Sequence, residues 1–337
     1  MKVIKPQFED HGRWESFIKE QGSERVFGQA WDWGVFQVNA NHKAWRRLVI
    51  NDAGEVIAVA LGIKLKLFSN FYTLYLAGGP IIKKGLETET IKLLLDDIKS
   101  WAGREKIINV RIDWSTDLSE EELNKLFGLG FKIRKQVSPQ ESLLIDLNQE
   151  KEKLSTDLHQ KTRYNIRLAE KNNVQIIEAQ NPSEFESFYK LMDKTQKRQA
   201  FGIHSKNYYT ALLNSLKTNP QAKLFLAKHE GKVVAGAIIL FYNDTASYLH
   251  GGSNHEYRQL MAPHLLHWIV IQKAKEARLK VYDFWGITTT DNPKHPWAGI
   301  SRFKKGFGGY TKKYAPTLEL GISPWHTLYN TIRKLRP

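Results

Sequence analysis

The sequence contains no cysteine, and that absence excludes several kinds of chemistry at once. Without a thiol there is no disulfide, no cysteine nucleophile, no iron–sulfur cluster and no cysteine-based zinc site. An apolar run of about 18 residues is also lacking, so we expect no membrane-spanning helix. The opening residues, MKVIKPQFEDHGRW, lack the apolar segment of a cleaved signal peptide. These absences are compatible with a protein of the reducing cytoplasm.

Acidic residues are in deficit, with 35 Asp and Glu against 50 Lys and Arg, and the formal net charge is +15. Such a surplus indicates a negatively charged partner, for which nucleic acid, phosphate-rich ligands and anionic membrane surfaces are the natural candidates. A generically basic, solvated surface is the alternative. The 337 residues allow two or three domains, and a hydrophobic content of 42% allows a sizeable core.

Helix and strand patterns alternate along the chain, which predicts an α/β (α+β) fold. Each half has the same order of elements: a hairpin, a strand, a helix and a strand. This order predicts an internal duplication of an acetyltransferase-like (GNAT-like) unit. The first half is expected to close with a strand pair around Phe131 and 143–147, which places the boundary near 146–150.

The turn that would bind coenzyme A in such a unit is poorly suited to it. Acyl-CoA enzymes bind pyrophosphate on backbone N–H groups at a helix N-terminus, after a glycine-rich turn. Here Met261 stands where glycine is wanted, and Pro263 has no N–H to donate. We therefore expect no cofactor, although an acyl-CoA-dependent N-acyltransferase of the same fold stays open as an alternative.

Nine segments in a fixed order carry a resemblance to a known family. They are FGQAWDWGVFQ (27–37), YLAGGP (75–80), VRIDW (110–114), ESLLIDL (141–147), KTRYNIRLAEKNNVQI (161–176), YLHGGSN (248–254), 261–268, YDFWGI (282–287) and SRFKKGFGG (301–309). The chain resembles the Fem family (FemABX) of peptidoglycan bridge-forming, aminoacyl-tRNA-dependent peptidyltransferases. The resemblance implies two tandem acetyltransferase-like domains: 1–147 with 317–337, which binds the acceptor, and 148–316, on the aminoacyl-tRNA side. No sustained heptad pattern occurs, so the compact form without a coiled-coil arm is implied.

The resemblance also implies a reaction. An amino acid (Gly, Ser or Ala) would move from charged tRNA to the stem peptide of a peptidoglycan precursor, either lipid II or the UDP-linked pentapeptide, and form an interpeptide bridge. The tRNA is a co-substrate, so no cofactor is implied. A polyanionic donor and a diphosphate-bearing acceptor would both account for the charge. A non-catalytic protein that binds nucleic acid or anionic lipid through its basic surface is a further alternative.

Two lysine-containing segments are assigned to the tRNA. Arg163 and Arg167 are spaced to share one face of a helix expected over 150–171, and Lys161 lies beside them. We expect these residues and Lys305 to contact tRNA phosphates, since arginine suits bidentate phosphate recognition. A solvated basic face is the alternative.

Lys304 and Asp113 are the candidate catalytic residues. The Phe303–Lys304 pair matches a family motif at the donor end of the site. There Lys304 would stabilise charge on the ester oxygens or neutralise the tRNA 3′ end, and Phe303 would stack on a terminal base. A solvated loop is the alternative for this pair. Asp113, at a strand end, is a possible general base or amine-orienting group, with a structural carboxylate as the alternative.

Acceptor recognition is assigned by the resemblance to polar and aromatic residues of both halves, namely Trp33, Gln37, Arg198, His204, Tyr208 and Tyr248. Members that use a soluble UDP-linked acceptor carry a lysine at the position of Gln37 and an arginine at that of His204, and these cations bind the diphosphate. Their absence favours a lipid-linked acceptor, or a diphosphate held by Arg198 or Lys206.

The remaining expectations concern metals and location. His264 and His267 lie at i, i+3 in an apolar helix without a paired-ligand motif, so we expect no metal site. We expect a cytoplasmic protein. Its basic, amphipathic C-terminal segment with Trp325 and Tyr329 suits peripheral contact at the inner membrane face, with packing on the first domain as the alternative.

Overall fold

A computed structural model describes residues 1–22, 24–199 and 202–335, without the side chains of 198, 199, 334 and 335. The chain divides into two compact units. The first comprises Met1–Gln140 with Lys313–Pro337, and the second comprises Glu141–Lys312. Each unit contains one mixed sheet with helices packed against it.

The first unit is built on a sheet that has eight strands within the described residues. Its strands are β1 (Lys2–Ile4), β2 (Lys43–Ile50), β3 (Val56–Phe68), β4 (Phe71–Ala77), β5 (Ile81–Ile82), β6 (Ile107–Asp113), β7 (Lys132–Ile133) and, from the end of the chain, β15 (Leu318–Gly321). Their order is β1-β2-β3-β4-β6-β15-β7, with β5 beside β3. Its helices are α1 (His11–Gln21), α2 (Trp31–Asn39), α3 (Glu87–Glu105), α4 (Glu120–Gly128) and the last helix, α11 (Trp325–Leu335).

Apolar spacing explains how α3 packs in this unit. Ile91, Leu94, Leu95 and Ile98 recur at the spacing of one helix face, and all four are buried. They join the core cluster formed with the sheet. The helix ends at Lys106, which has a positive φ of 55° and lets the chain turn directly into β6.

The C-terminal segment returns to the first unit, as the family resemblance implies. Strand β15 pairs antiparallel with both β6 and β7, so that Leu318 lies opposite Ile112 on one side and Ile133 on the other. Helix α11 then packs aromatic side chains against the turn between β3 and β4, with Tyr329 stacked on Phe68 at 5.4 Å and Trp325 against Phe71 at 5.2 Å. The tail is therefore an integral part of the first unit.

The second unit has seven strands within the described residues, in the order β14-β8-β13-β12-β11-β10-β9. They are β8 (Glu141–Asp146), β9 (Gln175–Glu178), β10 (Gln221–His229), β11 (Lys232–Tyr242), β12 (Thr245–Ser253), β13 (Val281–Gly286) and β14 (Tyr310–Lys313). The helices are α5 (Lys151–Asp157), α6 (Gln160–Lys171), α7 (Pro182–Gln199), α8 (Lys206–Ser215), α9 (Ala262–Glu276) and α10 (Ala298–Lys305). The hairpin of β10 and β11 turns at Glu230 and Gly231, as predicted.

Strands β12 and β13 run parallel but separate early. Their pairing in the described residues ends at Ser247 opposite Asp283, although β12 continues for six more residues. The pairing of β12 with β11 is also irregular here, since Tyr248 and His250 lie opposite consecutive residues of β11. Leu249 is therefore a bulge, which bends β12. The result is an opening between two strands of the sheet.

Two boundaries differ from the sequence-based expectation. The strand over 141–146 does not close the first unit, because it pairs with β13, and Leu143 and Ile145 contribute to the core of the second. The division therefore falls at 140/141 rather than at 147/148, and the tail rejoins the first unit at 313 rather than 317. The helix expected over 150–171 is two helices, since Leu158 and His159 have extended backbone dihedrals that interrupt it.

Candidate active site

A buried lysine lies at the opening between β12 and β13. Lys304, near the end of α10, is 6% exposed, and its ammonium donates a hydrogen bond to the carbonyl of Gly286, the last residue of β13, at 2.7 Å. The ring of Tyr248 on β12 lies 5.7 Å from the same nitrogen. The structure thus brings together two of the predicted site residues, one from each side of the opening.

The surroundings of Lys304 disfavour its charge. Burial lowers the pKa of Lys304 to about 8, and the nearby carboxylate of Asp283 opposes this shift. Asp283 is itself fixed, since it accepts hydrogen bonds from the Ser142 hydroxyl and, at 2.7 Å, from the backbone N–H of Trp285. A protonated ammonium in this buried position is little hydrated and is suited to donate a hydrogen bond to an oxygen that develops negative charge.

An aromatic wall completes this region. His267 on α9 hydrogen-bonds through Nδ1 to the hydroxyl of Tyr282 at 2.7 Å, and its ring meets that of Tyr248 edge-on at 4.5 Å. Burial, then the nearby Lys304, lowers the pKa of His267 to about 3, so the ring is neutral at pH 7. The predicted residue Phe303 lies 5.6 Å from this ring and 5.0 Å from His264. His267 is therefore a core residue, and His264 lies half-buried beside it. In the described part of the chain no group of three or more side chains is placed to hold a metal ion.

A glycine makes room for the tyrosine of the site. A Cβ at Gly251 would lie 2.4 Å from the Tyr248 hydroxyl, so only glycine leaves space for that group. Burial raises the pKa of Tyr248 to about 12. The hydroxyl is therefore neutral at physiological pH and can donate as well as accept a hydrogen bond.

A second aromatic cluster includes two more predicted residues. The rings of His204 and Tyr208 stack at 3.8 Å, and His250 on β12 meets His204 edge-on at 5.5 Å. Burial, then His204, lowers the pKa of His250 to about 3, and burial also raises the pKa of Tyr208. The sequence analysis missed His250, although its position two residues after Tyr248 in YLHGGSN was a usable signal.

Lys206 and Arg198 are the alternative cations for binding a diphosphate, and the structure describes the side chain of Lys206 alone. Lys206 forms an ion pair with Glu186, so its charge is already compensated within the unit. The side chain of Arg198 lies outside the described residues. Among the described residues, the cluster around His204 is therefore an aromatic surface whose neighbouring lysine, Lys206, is already paired.

The predicted tRNA contacts separate into two groups. Lys161 and Arg167 on α6 are exposed, and so is Lys305. Arg163 instead donates through Nη1 to the backbone carbonyls of Thr156, at 2.9 Å, and Leu158. It caps the end of α5 and holds the break between the helices, so the structure gives it an internal role that the sequence pattern did not reveal.

A lysine-lined groove was not recognised from the sequence. It has a volume of about 430 Å³ and lies between α7 and the hairpin of β10 and β11. Its cations are Lys190, Lys194, Lys228 and Lys232, of which Lys228 is paired with Glu184 at 2.8 Å. They form two pairs, one on α7 and one on the hairpin, and the packing of helix on hairpin brings the two pairs together.

The candidate residues of the first unit are buried. Trp33 packs edge-on against Phe27 and Phe36, at 4.9 and 5.0 Å, and Gln37 lies on the same helix with 7% exposure. Acceptor contact by these two residues stays a prediction.

Asp113 has extensive internal contacts. Its carboxylate accepts hydrogen bonds from the Tyr75 hydroxyl at 2.5 Å, the Ser138 N–H at 2.9 Å and the Thr317 hydroxyl. Burial, together with the charge of Asp113, raises the pKa of Tyr75. The side chain thus ties β6 to the returning C-terminal segment, which supports the structural alternative over a general base.

We expect Asp113→Asn to destabilise the protein without slowing the chemical step. An amide cannot accept all three hydrogen bonds, and a buried donor left without a partner costs about 1–3 kcal/mol. Urea unfolding followed by fluorescence should therefore show a lower midpoint, while kcat per folded molecule stays at the wild-type value. A fall in kcat of about 100-fold or more would instead indicate a general base.

Comparison with known proteins places the chain in a family. It matches the FemAB family model over residues 120–232 and 220–334, which together span more than half of the chain. A lipid II:glycine glycyltransferase of Staphylococcus aureus is 21% identical, and the alignment covers 87% of each protein.

Solved structures agree on the fold. The crystal structure of FemX has a TM-score of 0.81 at 20% identity and covers 98% of this chain and 100% of that one. A tandem GNAT protein from the clavulanic acid biosynthesis pathway has a TM-score of 0.61 at 12% identity, over 96% and 98% of the two chains. The predicted architecture of two GNAT-like domains is confirmed. The match to the family model shows that the chain belongs to the FemAB family.

Proposed function

We propose that the protein is an aminoacyltransferase of peptidoglycan bridge synthesis. It transfers an amino acid from charged tRNA to an amine on the stem peptide of a peptidoglycan precursor. Family membership supports the reaction class, and the S. aureus relative is a lipid II:glycine glycyltransferase. The observation that carries the proposal is the buried ammonium of Lys304 at the opening between β12 and β13.

The reaction requires the protein mainly to position the two substrates and to stabilise developing negative charge. The acceptor amine attacks the carbonyl carbon of the aminoacyl ester, the new C–N bond forms, and the bond to the ribose oxygen breaks. The proton lost by the amine passes to that oxygen, which leaves as a hydroxyl. Because the ester is already activated, the main task is to stabilise the oxyanion of the tetrahedral intermediate. Lys304 performs this task when its ammonium turns from the Gly286 carbonyl to the oxyanion.

The donor is proposed to lie along the exposed cations of the second unit. Lys161, Arg167 and Lys305 are exposed and suited to phosphate contacts, and the lysine groove adds further positive charge. Phe303 is half-buried beside His264, and its free edge is the proposed contact for the terminal base.

The acceptor is proposed to be lipid-linked. A UDP-linked precursor needs cations for its diphosphate, whereas His204 and Tyr208 form an aromatic surface and Lys206 is paired with Glu186. Among the described residues no helix is long and apolar enough to cross a bilayer. Such an acceptor would be met by peripheral contact, for which the half-exposed Trp325 of α11 is the candidate residue.

A transfer assay tests the whole proposal. Purified protein is mixed with tRNA charged with radiolabelled Gly, Ser or Ala, and with lipid II in detergent or the UDP-linked pentapeptide. We expect label in lipid II and none in the UDP-linked precursor. Label only in the UDP-linked form would overturn the assignment of the acceptor. No label in any combination, with label instead transferred from an acyl-CoA or with tRNA bound but never consumed, would overturn the reaction itself.

A further inference from the structure

An exposed aromatic residue stands on the outer face of α6. Its ring belongs to Tyr164, which is 63% exposed. The opposite face of the helix, with Thr162, Asn165, Ile166 and Ala169, is buried. The core does not need the ring of Tyr164, and its exposure is therefore not explained by packing.

Two uncompensated cations flank this tyrosine. Lys161 lies three residues before it and Arg167 three residues after it, and both are exposed. No carboxylate of the described chain lies within 4 Å of either cation. Residues three apart rise about 4.5 Å along a helix and are neighbours on its surface. The three side chains therefore form a continuous stripe in the order cation, aromatic ring, cation.

The stripe begins at the candidate active site. The backbone N–H of His159, just before α6, donates to the carbonyl of Gly306, two residues after Lys304, at 2.9 Å. A Cβ at Gly306 would lie 2.4 Å from the Thr162 hydroxyl, so the first turn of α6 rests directly on the end of α10. The charge of Lys161 also acts on His264, which contacts Phe303. The stripe thus leads from the Phe303–Lys304 pair out along α6.

We propose that Tyr164 stacks on an unpaired base in the single-stranded 3′ end of tRNA, with Lys161 and Arg167 on the adjacent phosphates. This inference rests on the proposed function, because that strand carries the ester to Lys304. A flat ring between two free cations is the arrangement that binds single strands without reading their sequence. An anionic membrane would instead call for several apolar residues on this face, and its neighbours here are charged or polar.

Binding measurements with two RNAs test the proposal. One is intact tRNA, and the other is the same tRNA trimmed of its single-stranded 3′ nucleotides. Stacking contributes about 1–3 kcal/mol per base, so Tyr164→Ala should weaken binding of intact tRNA by about 5- to 140-fold. It should leave binding of trimmed tRNA unchanged. Tyr164→Phe keeps the ring and should bind like wild type. Phe8→Ala, which removes an exposed aromatic ring from the first unit, is the matched control.

The salt dependence of tRNA binding tests the roles of the two cations, Lys161 and Arg167. Lys161→Ala and Arg167→Ala should each reduce the slope of log affinity against log salt by about 0.7, the value for one phosphate of a single strand. Circular dichroism of each variant establishes that it is folded.

The outcomes separate this inference from the proposed function. If wild type transfers label while Tyr164→Ala binds intact tRNA as tightly as wild type does, the stacking role is wrong and the reaction stands. If Tyr164→Ala weakens the binding of intact and trimmed tRNA equally, the ring does not contact the 3′ end. If wild-type protein binds neither RNA, both this inference and the proposed function are wrong.

Discussion

Lys304→Met is expected to abolish transfer and to leave the fold intact. Losing one preorganised group that stabilises an oxyanion typically costs about 100- to 1,000-fold in kcat, and we expect an effect of at least that size. Met has a similar length and no charge to desolvate, and a buried charge replaced by an apolar group is often neutral or stabilising. The measurements are single-turnover transfer of labelled amino acid and thermal unfolding.

The neighbouring lysine supplies the control for this prediction. Lys305 is exposed and adjacent, so Lys305→Met removes the same charge from outside the core. It should weaken tRNA binding while keeping kcat at saturating tRNA. Equal losses of kcat in the two variants would mean that Lys304 acts only through the overall charge.

The lowered pKa of Lys304 gives a pH dependence with a defined sign. Oxyanion stabilisation needs the ammonium, so the rate should fall as pH rises through about 8. The free energy of unfolding should change with pH in the opposite direction. Between about pH 8 and the ordinary lysine value of 10.5, the unfolded chain binds more protons than the folded one, so this group makes stability rise with pH. Lys304→Met should lack both effects. A rise in rate through pH 8 that is present in wild type and absent in Lys304→Met would instead assign Lys304 the role of a base.

Glu319→Ala is expected to be the most destabilising single change in the first unit. Its carboxylate is fully buried on β15 and accepts charged hydrogen bonds from Arg111 at 2.6 Å, Arg134 at 2.8 Å and, when the ring is protonated, His326 at 3.0 Å. Removing one partner of a buried ionic cluster leaves the remaining charges without compensation and costs about 3–5 kcal/mol. Urea unfolding of the purified protein measures this loss.

The acid dependence of stability provides a second readout for Glu319. Burial alone would raise the pKa of Glu319, but hydrogen bonds from His326, Arg134 and Arg111 outweigh it and lower the value to about 2. This contribution is complete above the ordinary value of 4.5 and is lost as pH falls from there towards 2. The variant should therefore lose less stability across that window than wild type does. Glu121→Ala, which removes an exposed pair with Lys125, is the control and should leave the unfolding midpoint unchanged. Equal midpoints for the two variants would contradict the prediction.

Local patterns were sufficient to predict most of the fold. Ile91, Leu94 and Ile98 show helical spacing, and the continuous apolar run over 233–242 indicates a buried strand. The repeated order of elements revealed the duplication, and the resemblance supplied the return of the tail. Strand pairing could not be predicted in the same way. The sequence of 141–146 does not indicate which sheet this strand joins, because an apolar strand can pack in either core.

The site was harder to predict, because its side chains are held by contacts with residues that are distant in the sequence. Asp113 is held by Thr317, 204 residues later, and Arg163 by carbonyls that are exposed only because the preceding helix stops. Neither contact leaves a sequence signal. Tyr164 is a different case, since its spacing of three from Lys161 and Arg167 is visible in KTRYNIR and needed only the knowledge that this face is exposed.

The position of β15 between β6 and β7 has a consequence for biosynthesis. A ribosome delivers β6 and β7 early, then the whole second unit, and only afterwards the strand that joins them. The second unit is one contiguous segment of the chain, so it can fold while the sheet of the first unit still lacks β15. Unpaired edges of this kind invite pairing with other chains. The first half of the nascent protein is therefore the part that most needs a chaperone, and chains terminated before residue 318 are expected to aggregate rather than to persist as half-active molecules.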